Sequence, residues 1–269
     1  MSQRNVVAQS RLRRYVFRKD VVHKVSDRIR TALRVCTKDA FADQLLLLAP
    51  EGADVILDVG ANIGVVTQLY ARRFPRARIY ALEASPSTFA TLSQNFVGHE
   101  RIRTFRCAVS DRDGEILFNV NYNSGTSSVL EPSDFNRATW ASQGSQATIG
   151  VPSLTIDSFC RQQHIDTIDV LKLDIEGSEL PALRGAVPLL QRSAIKLVFT
   201  EVCLTPLYRD QPLLHDLTAF LAGHGYLLYN LYRIVESPIR QGLISNAIFL
   251  SPAFRDQLLE RFGTQACGW

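Results

Sequence analysis

Long apolar runs are missing from this sequence. The longest, Leu45–Ala49, falls far short of the about 20 apolar residues that a membrane-spanning helix needs. The basic start of the chain is also not followed by the apolar segment that a secretory signal peptide requires. These two absences predict a cytoplasmic protein without a transmembrane segment.

Cysteine is scarce and irregularly spaced. The five cysteines include no C-x-x-C pair, which argues against structural zinc and disulfide exchange, and their odd number argues against a disulfide framework. Hydrophobic residues make up 46% of the chain and charged residues 21%, proportions that exclude a disordered or fibrous protein. A length of 269 residues is sufficient for one large α/β domain with a sizeable core.

Acidic residues are rare at the start of the chain. Residues 1–35 hold ten Lys and Arg residues against two acids, whereas the remainder is slightly acidic. A basic segment can bind an anionic partner, although a solvated helix face is the simpler interpretation. Aromatic residues are not interleaved with the basic ones, so we do not expect nucleic acid as a partner. The sequence indicates no particular oligomeric state.

The order of the predicted elements indicates a doubly wound α/β fold. Residues 1–50 form a basic helical extension, and residues 51–269 form the main domain. Apolar runs that alternate with helical patterns predict a mostly parallel sheet with helices on both faces. The predicted strands are 55–60, 78–83, 102–109, 169–174, 195–201, 226–232 and 247–250, and the helices between and after them are 63–74, 86–96, 154–161, 178–190, 212–222 and 254–262.

One long polar stretch interrupts this alternation. Asp113-Gly114 predicts a turn into an extra hairpin strand over residues 115–120. Residues 121–150 follow, rich in Asn, Ser, Thr and Gly. Because long loops are uncommon inside a compact domain, we interpret this stretch as a lid or substrate loop, with a simple insertion as the alternative.

Acids stand at the ends of four predicted strands. Asp58, Glu83, Asp174 and Glu201 each occupy such a position. Ligands of open parallel sheets bind beyond the carboxyl ends of the strands, so these acids are expected around one pocket.

The turn after the first strand carries glycines but lacks the G-x-G-x-x-G pattern of dinucleotide sites. Its sequence is D-V-G-A-N-I-G, with Gly60 and Gly64 four residues apart. A carboxylate at Asp58 would repel a diphosphate but would favour a cationic sulfonium cofactor. The charge pattern therefore favours S-adenosylmethionine. Glu83 is placed to accept hydrogen bonds from ribose hydroxyls. A nicotinamide cofactor also carries a ribose, so this glutamate does not distinguish the two cofactors.

A series of motifs resembles the FkbM family of methyltransferases. DVGANIG, ALEASP, CAVSDRDG, GTSS, TIDSF, LKLDIEGSELPALRGA and FTEV occur in that order, and the match covers roughly residues 53–250. The resemblance implies a seven-stranded, Rossmann-like class I methyltransferase sheet and S-adenosylmethionine as methyl donor. It also implies an acceptor hydroxyl on a small molecule such as a sugar, glycoside or polyketide-type product.

The same resemblance implies a set of cofactor-binding residues. One group would hold the methionine part of the cofactor, Glu83 would hold the ribose, and Ala108 and Val109 would flank the adenine. The methionine group consists of Asp58, Gly60, Asn62 and Gly64. The sequence departs from the family after Glu83. Members of the family commonly have proline directly after this glutamate, whereas here Ala84-Ser85 come before Pro86.

Asp174 is the first candidate for the general base, because it ends the predicted central strand, and Glu176 is the second. Asp174 could instead cap the next helix, or the two acids could hold Mg²⁺, although we expect no metal. Ser127, Ser128 and Glu201 are candidates for contact with the acceptor. The alternatives for them are a turn for the serines and a structural role for Glu201.

Three other functions share this pattern of elements. The basic start of the chain suggests an RNA or protein methyltransferase. An NAD-dependent oxidoreductase uses the same kind of sheet, and a binding module could keep the fold without catalysis. The intact strand-end acids argue against the last of these.

Overall fold

The computed structural model describes residues 39–122, 124–135 and 145–263. The helices predicted before residue 39 lie outside the described residues. The described chain forms a central seven-stranded sheet with helices on both faces and a smaller three-stranded sheet beside it. None of the helices in these ranges is both long enough and apolar enough to cross a membrane.

The central sheet confirms the predicted doubly wound architecture. Its strands lie in the order β3-β2-β1-β7-β8-β10-β9. All neighbouring pairs from β3 to β8 are parallel, and β10 runs antiparallel between β8 and β9. The strands are β1 (Val55–Val59), β2 (Arg78–Glu83), β3 (Ile102–Arg106), β7 (Ile168–Leu173), β8 (Ile195–Cys203), β9 (Leu227–Glu236) and β10 (Gly242–Leu250).

The helices cover the two faces of this sheet because its inner strands are apolar on both sides. Neighbouring residues of one strand point to opposite faces, so Ile56 and Leu57 enter different cores. One core contains α1 (Ala40–Leu47), α2 (Val65–Arg73), α3 (Pro86–Asn95) and α8 (Pro252–Phe262). The other contains α4 (Ile156–Gln163), α5 (Glu179–Arg184), α6 (Val187–Gln191) and α7 (Leu214–Ala222).

The smaller sheet corrects two predictions. The predicted strand 102–109 is divided, because β4 (Ala108–Val109) leaves the central sheet to pair with β6 (Ser145–Leu154). β6 also pairs with β5 (Gly114–Asn121), so the end of the predicted loop is a strand. Exposed and buried positions alternate along the end of β6, but the polar Ser153 occupies one of the buried positions. The alternation of polar and apolar residues that predicts a strand is therefore interrupted in the sequence.

Two further boundaries differ from the predictions. The predicted helix 178–190 consists of α5 and α6, which are separated at Gly185, where a side chain would overlap the carbonyl oxygen of Ser110. At the start of the domain, Leu47 and Leu48 are buried in the sheet core, and Asp43 accepts a 2.6 Å hydrogen bond from the Tyr232 hydroxyl. α1 therefore packs with the main domain, whereas the predicted extension continued to residue 50.

Candidate active site

A cavity of about 260 Å³ opens at the carboxyl ends of β1, β2, β7 and β8. Parallel strands bring these ends to one edge of the sheet, so residues far apart in sequence meet there. Most of the residues predicted from the sequence line this cavity. They are Gly60, Asn62, Glu83, Ala108, Val109, Ser127, Asp174, Glu176 and Glu201.

The turn after β1 forms the floor of the cavity. Gly60 has a φ of 72°, and a side chain at this position would overlap the carbonyl oxygen of Asp174. Only glycine tolerates both the left-handed backbone and this close approach. The amides of Gly60 and Ala61 donate to the carbonyl oxygen of Leu82, at 3.0 and 2.9 Å. The turn is thereby fixed against β2.

Glu83 lies at the end of β2 with both carboxylate oxygens oriented by backbone amides. Oε2 accepts from the Asn62 amide at 3.0 Å, and Oε1 accepts from the Ser85 amide at 2.8 Å. Burial raises the pKa of Glu83, and these hydrogen bonds oppose the shift. Ser85 thus supports the carboxylate at the point where the sequence departs from the family pattern. The remaining lone pairs can accept hydrogen bonds from a diol.

Ala108 and Val109 form an apolar part of the cavity lining. They belong to β4, and Leu82, Cys107 and Phe118 extend this apolar wall. The wall suits a flat aromatic ring, because its small apolar side chains expose no charge to it. The site thus combines a polar floor with an apolar side.

Asp58 lies outside the cavity lining, contrary to the expected direct contact with the cofactor. Its side chain is fully buried, with Oδ2 accepting from Thr67 Oγ1 at 2.6 Å and Oδ1 lying 3.0 Å from Lys172 Nζ. Asp58 and Lys172 are partners in the register of β1 and β7, so their side chains leave the sheet on the same face. The carboxylate is therefore turned toward an internal counter-charge.

Gly64 and Ser128 also lie outside the lining. A side chain at Gly64 would overlap the ring of Phe96, so this glycine permits α2 to approach α3 closely. Ser128 donates from Oγ to the carbonyl oxygen of Glu176 at 2.7 Å and holds the backbone of that residue. Ser127 does line the cavity, where its Oγ accepts from the Asn121 amide.

Three acids converge on the far side of the cavity. Asp174, Glu176 and Glu201 each place a carboxylate oxygen within 4.8 Å of the other two. Asp174 is the most accessible of them, with a side chain that is 44% exposed. Three carboxylates at this spacing can share a proton or bind a hard divalent cation.

Loss of contact with water and mutual repulsion favour the neutral forms of Glu176, Glu201 and the neighbouring Glu179. Burial raises the pKa of Glu176 to about 8, with a further contribution from the charge of Asp174. Burial likewise raises the pKa of Glu201, to which Asp174 and Glu176 add. Glu179, which accepts from the amides of Ile175 and Gly177, has its pKa raised to about 7 by burial. Burial and the neighbouring negative charges therefore favour the protonated form of Glu176.

Two residues around the cluster were not predicted from the sequence. The Tyr208 hydroxyl lies 2.7 Å from Glu176 Oε2 and 3.2 Å from the carbonyl oxygen of Thr126. Lys172 Nζ lies 3.8 Å from Asp174 Oδ2. Lys172 was visible as the first residue of the K-x-D-x-E-G motif, whereas no motif marked Tyr208.

Comparison with known proteins agrees with this geometry. Residues 58–228 match the methyltransferase FkbM domain family. Among curated proteins, the chain is 26% identical over 176 residues to the 2-O-methyltransferase NoeI of Sinorhizobium fredii, covering 62% of this chain and 71% of that protein. It is 29% identical over 198 residues to the 31-O-demethyl-FK506 methyltransferase FkbM of Streptomyces tacrolimicus, covering 64% and 72%.

A third relative comes from an archaeon. The chain is 26% identical over 162 residues to the hexuronic acid methyltransferase AglP of Haloferax volcanii, covering 59% of this chain and 60% of that protein. The family match includes the strand-end residues from Asp58 to Glu201 and more than half of the chain. The chain therefore belongs to the FkbM family of S-adenosylmethionine-dependent methyltransferases.

Proposed function

We propose that this enzyme transfers the methyl group of S-adenosylmethionine to a hydroxyl of a small molecule, of the sugar, glycoside or polyketide type. The names of the relatives describe O-methylation at a 2-O and a 31-O position and methylation of a hexuronic acid. The convergence of Asp174, Glu176 and Glu201 at the cavity is the observation that carries the proposal, because a hydroxyl needs a proton acceptor as it is methylated.

The cofactor binds along the β1–β2 side of the cavity. Glu83 accepts hydrogen bonds from the two ribose hydroxyls, since its carboxylate is already oriented by Asn62 and Ser85. Gly60 and Asn62 contact the methionine part at the turn, and Ala108 and Val109 contact the adenine. With the cofactor held in this way, its methyl group would face the part of the cavity where Asp174, Glu176 and Glu201 lie.

The reaction is an in-line displacement. The acceptor oxygen attacks the methyl carbon, the carbon–oxygen bond forms as the carbon–sulfur bond breaks, and S-adenosylhomocysteine leaves. The hydroxyl proton passes to the Asp174 carboxylate, which is the most accessible acid of the cluster. Glu176, protonated near neutral pH, donates a hydrogen bond to the acceptor, and Ser127 and Glu201 provide further polar contacts. Holding the reactants in line supplies much of the rate enhancement.

A labelled-methyl assay over sugars, uronic acids, glycosides and polyketide alcohols tests this proposal, with Asp174→Asn as the variant. Without its proton acceptor the enzyme is expected to lose about 10²- to 10⁴-fold in turnover. Its affinity for S-adenosylhomocysteine should change less than about threefold, because Asp174 acts on the acceptor. Asp166→Asn, an exposed position at the opposite end of β7, is the matched control. Full turnover by Asp174→Asn would exclude this base.

A divalent cation is the second candidate for activating the hydroxyl, favoured by the spacing of the three carboxylates. Asp174, Glu176 and Glu201 would hold it, and the cation would lower the pKa of a bound hydroxyl. Turnover that is lost on treatment with a chelator and restored by Mg²⁺ would establish this role. Unchanged turnover after chelation would exclude the cation and favour direct proton transfer from the hydroxyl to Asp174.

Macromolecular acceptors are included as a further arm of the same assay. The basic residues 1–35 motivate a comparison with RNA and protein substrates. Methyl incorporation into RNA that weakens steeply with salt would replace the small-molecule proposal. Binding of cofactor without transfer to any acceptor would favour a non-catalytic module. The cytoplasmic location remains a prediction from the sequence.

A further inference from the structure

The Asp58–Lys172 pair lies directly beneath the cavity, although neither residue belongs to its lining. Both side chains are almost completely buried, at 4% exposure for Lys172 and 0% for Asp58. Replacing a buried ion pair with two well-packed apolar residues is often neutral or stabilising, so stability alone does not explain why this pair is present. The proposed transfer chemistry does not use either residue directly.

Lys172 reaches the backbone of the turn that forms the cavity floor. Nζ donates to the carbonyl oxygen of Gly60 at 2.8 Å and to that of Val59 at 3.2 Å. On the other side of the turn, the amides of Gly60 and Ala61 donate to Leu82. The turn is held between an ammonium on β7 and a carbonyl on β2. Its position therefore depends on Lys172.

Asp58 neutralises this ammonium. Its Oδ1 lies 3.0 Å from Lys172 Nζ, while Oδ2 accepts from Thr67. Asp174 is farther from Nζ, at 3.8 Å, and its exposed side chain is better screened by water. Burial by itself lowers the pKa of Lys172, but the charges of Asp58 and Asp174 outweigh it and raise the pKa.

The charge balance matters because the methyl donor is itself a cation at its sulfur. An uncompensated ammonium beneath the turn would repel that sulfonium through a poorly screened interior. The demethylated product, S-adenosylhomocysteine, carries a neutral sulfur and would be repelled less. The two ligands are therefore a matched pair of probes for the charge beneath the turn.

We propose that the Asp58–Lys172 pair positions the cofactor: Lys172 fixes the turn at Gly60, and Asp58 cancels the charge of Lys172 so that the cationic donor is not repelled. Both are positioning residues, since they act through the turn and not by contact with the substrate. The proposal rests on the cofactor site and is independent of the identity of the acceptor.

Calorimetric titration of the full chain with S-adenosylmethionine and S-adenosylhomocysteine, without acceptor, tests this role. Asp58→Asn keeps an acceptor for Thr67 but removes the negative charge. Its affinity for the cationic donor should fall at least about fivefold more than its affinity for the product. In the double variant Asp58→Asn/Lys172→Met, the ratio of the two affinities should return to within about twofold of the wild-type ratio. Both ligands should then bind about tenfold more weakly, because the turn carbonyls have lost a charged donor.

Lys196→Met is the matched control. Lys196 on β8 pairs at 2.7 Å with Asp169, which lies at the opposite end of β7 from the turn, and its removal should leave both affinities unchanged. Equal weakening of donor and product in Asp58→Asn would overturn the charge role, and wild-type affinities in the double variant would overturn the role of Lys172. If the double variant does not fold in a thermal scan, the ratio measured for Asp58→Asn decides alone. Failure of the wild-type enzyme to methylate any acceptor, with these affinities as expected, would contradict only the proposed acceptor chemistry.

Discussion

Gly60 and Gly98 show how the surroundings of a residue determine its function. They have nearly the same positive φ, 72° and 74°. A side chain at Gly60 would overlap the carbonyl oxygen of Asp174, whereas no atom lies within 4 Å of the corresponding position at Gly98. Substitution at both sites introduces the same backbone strain, of about 1 kcal/mol, but only one displaces the end of β7.

We therefore expect Gly60→Ala to weaken the binding of S-adenosylhomocysteine by at least about tenfold, because the floor of the cavity must move away from Asp174. Gly98→Ala should bind the ligand as the wild type does and lose about 1 kcal/mol of stability. Isothermal titration and urea unfolding of the two variants provide the comparison. Similar affinities for both variants would show that the turn adapts to a side chain.

The contact between Asp58 and Lys172 could not be predicted at this scale. Asp58 follows a buried strand, and its position in the sequence predicts only that it lies near the ligand edge. Its actual orientation depends on β7, which brings Lys172 into register on the same face of the sheet. Glu83 and Gly60 were placed correctly at the cavity because the end of a strand and a required glycine are local features.

At the scale of elements, the central sheet was predicted and the smaller sheet was not. Apolar runs ending at Asp58 and Glu83 identify inner parallel strands without knowledge of their partners. β6 mixes polar and apolar residues, and it is recognisable as a strand only from its pairing with β4 and β5. The same limit applies to Tyr208, since no motif includes it and its contacts with Thr126 and Glu176 join segments that are far apart in the sequence.

Tyr208→Phe is expected to raise the KM for the acceptor and to lower kcat, together by about tenfold, because Glu176 and the segment beginning at Ser124 lose their common contact. Cofactor affinity should remain unchanged. Tyr226→Phe is the matched control, since the Tyr226 hydroxyl donates to the carbonyl oxygen of Ile195 at the distant end of β8. Both variants should lose about 1 kcal/mol of stability. Steady-state kinetics that are altered equally in both would contradict the assigned role.

Across the whole molecule, the two edges of the central sheet carry acids in different environments. At the ligand edge of the sheet, Glu83, Glu176, Glu179 and Glu201 all have a pKa raised by burial. The opposite edge carries the ordinary Lys196–Asp169 ion pair. A site that receives a cationic ligand is thus built from acids that destabilise the empty protein when they ionise.

This arrangement predicts that stability falls as the pH rises from about 5 to 9. Between the unfolded pKa of a glutamate, about 4.3, and its raised folded pKa, the native state binds more protons than the unfolded state. The stabilising contribution of these glutamates is therefore fully present below the unfolded pKa and is lost as the pH rises through about 7 for Glu179 and about 8 for Glu176.

Glu176→Gln removes one such group, so the free energy of unfolding of this variant, measured with urea, should exceed that of the wild type by about 1 kcal/mol at pH 9. The difference should shrink or reverse at pH 5, and the exposed Glu115→Gln should show no such trend. A stability difference that stays constant across this range would mean that Glu176 ionises as readily in the folded protein as in the unfolded chain.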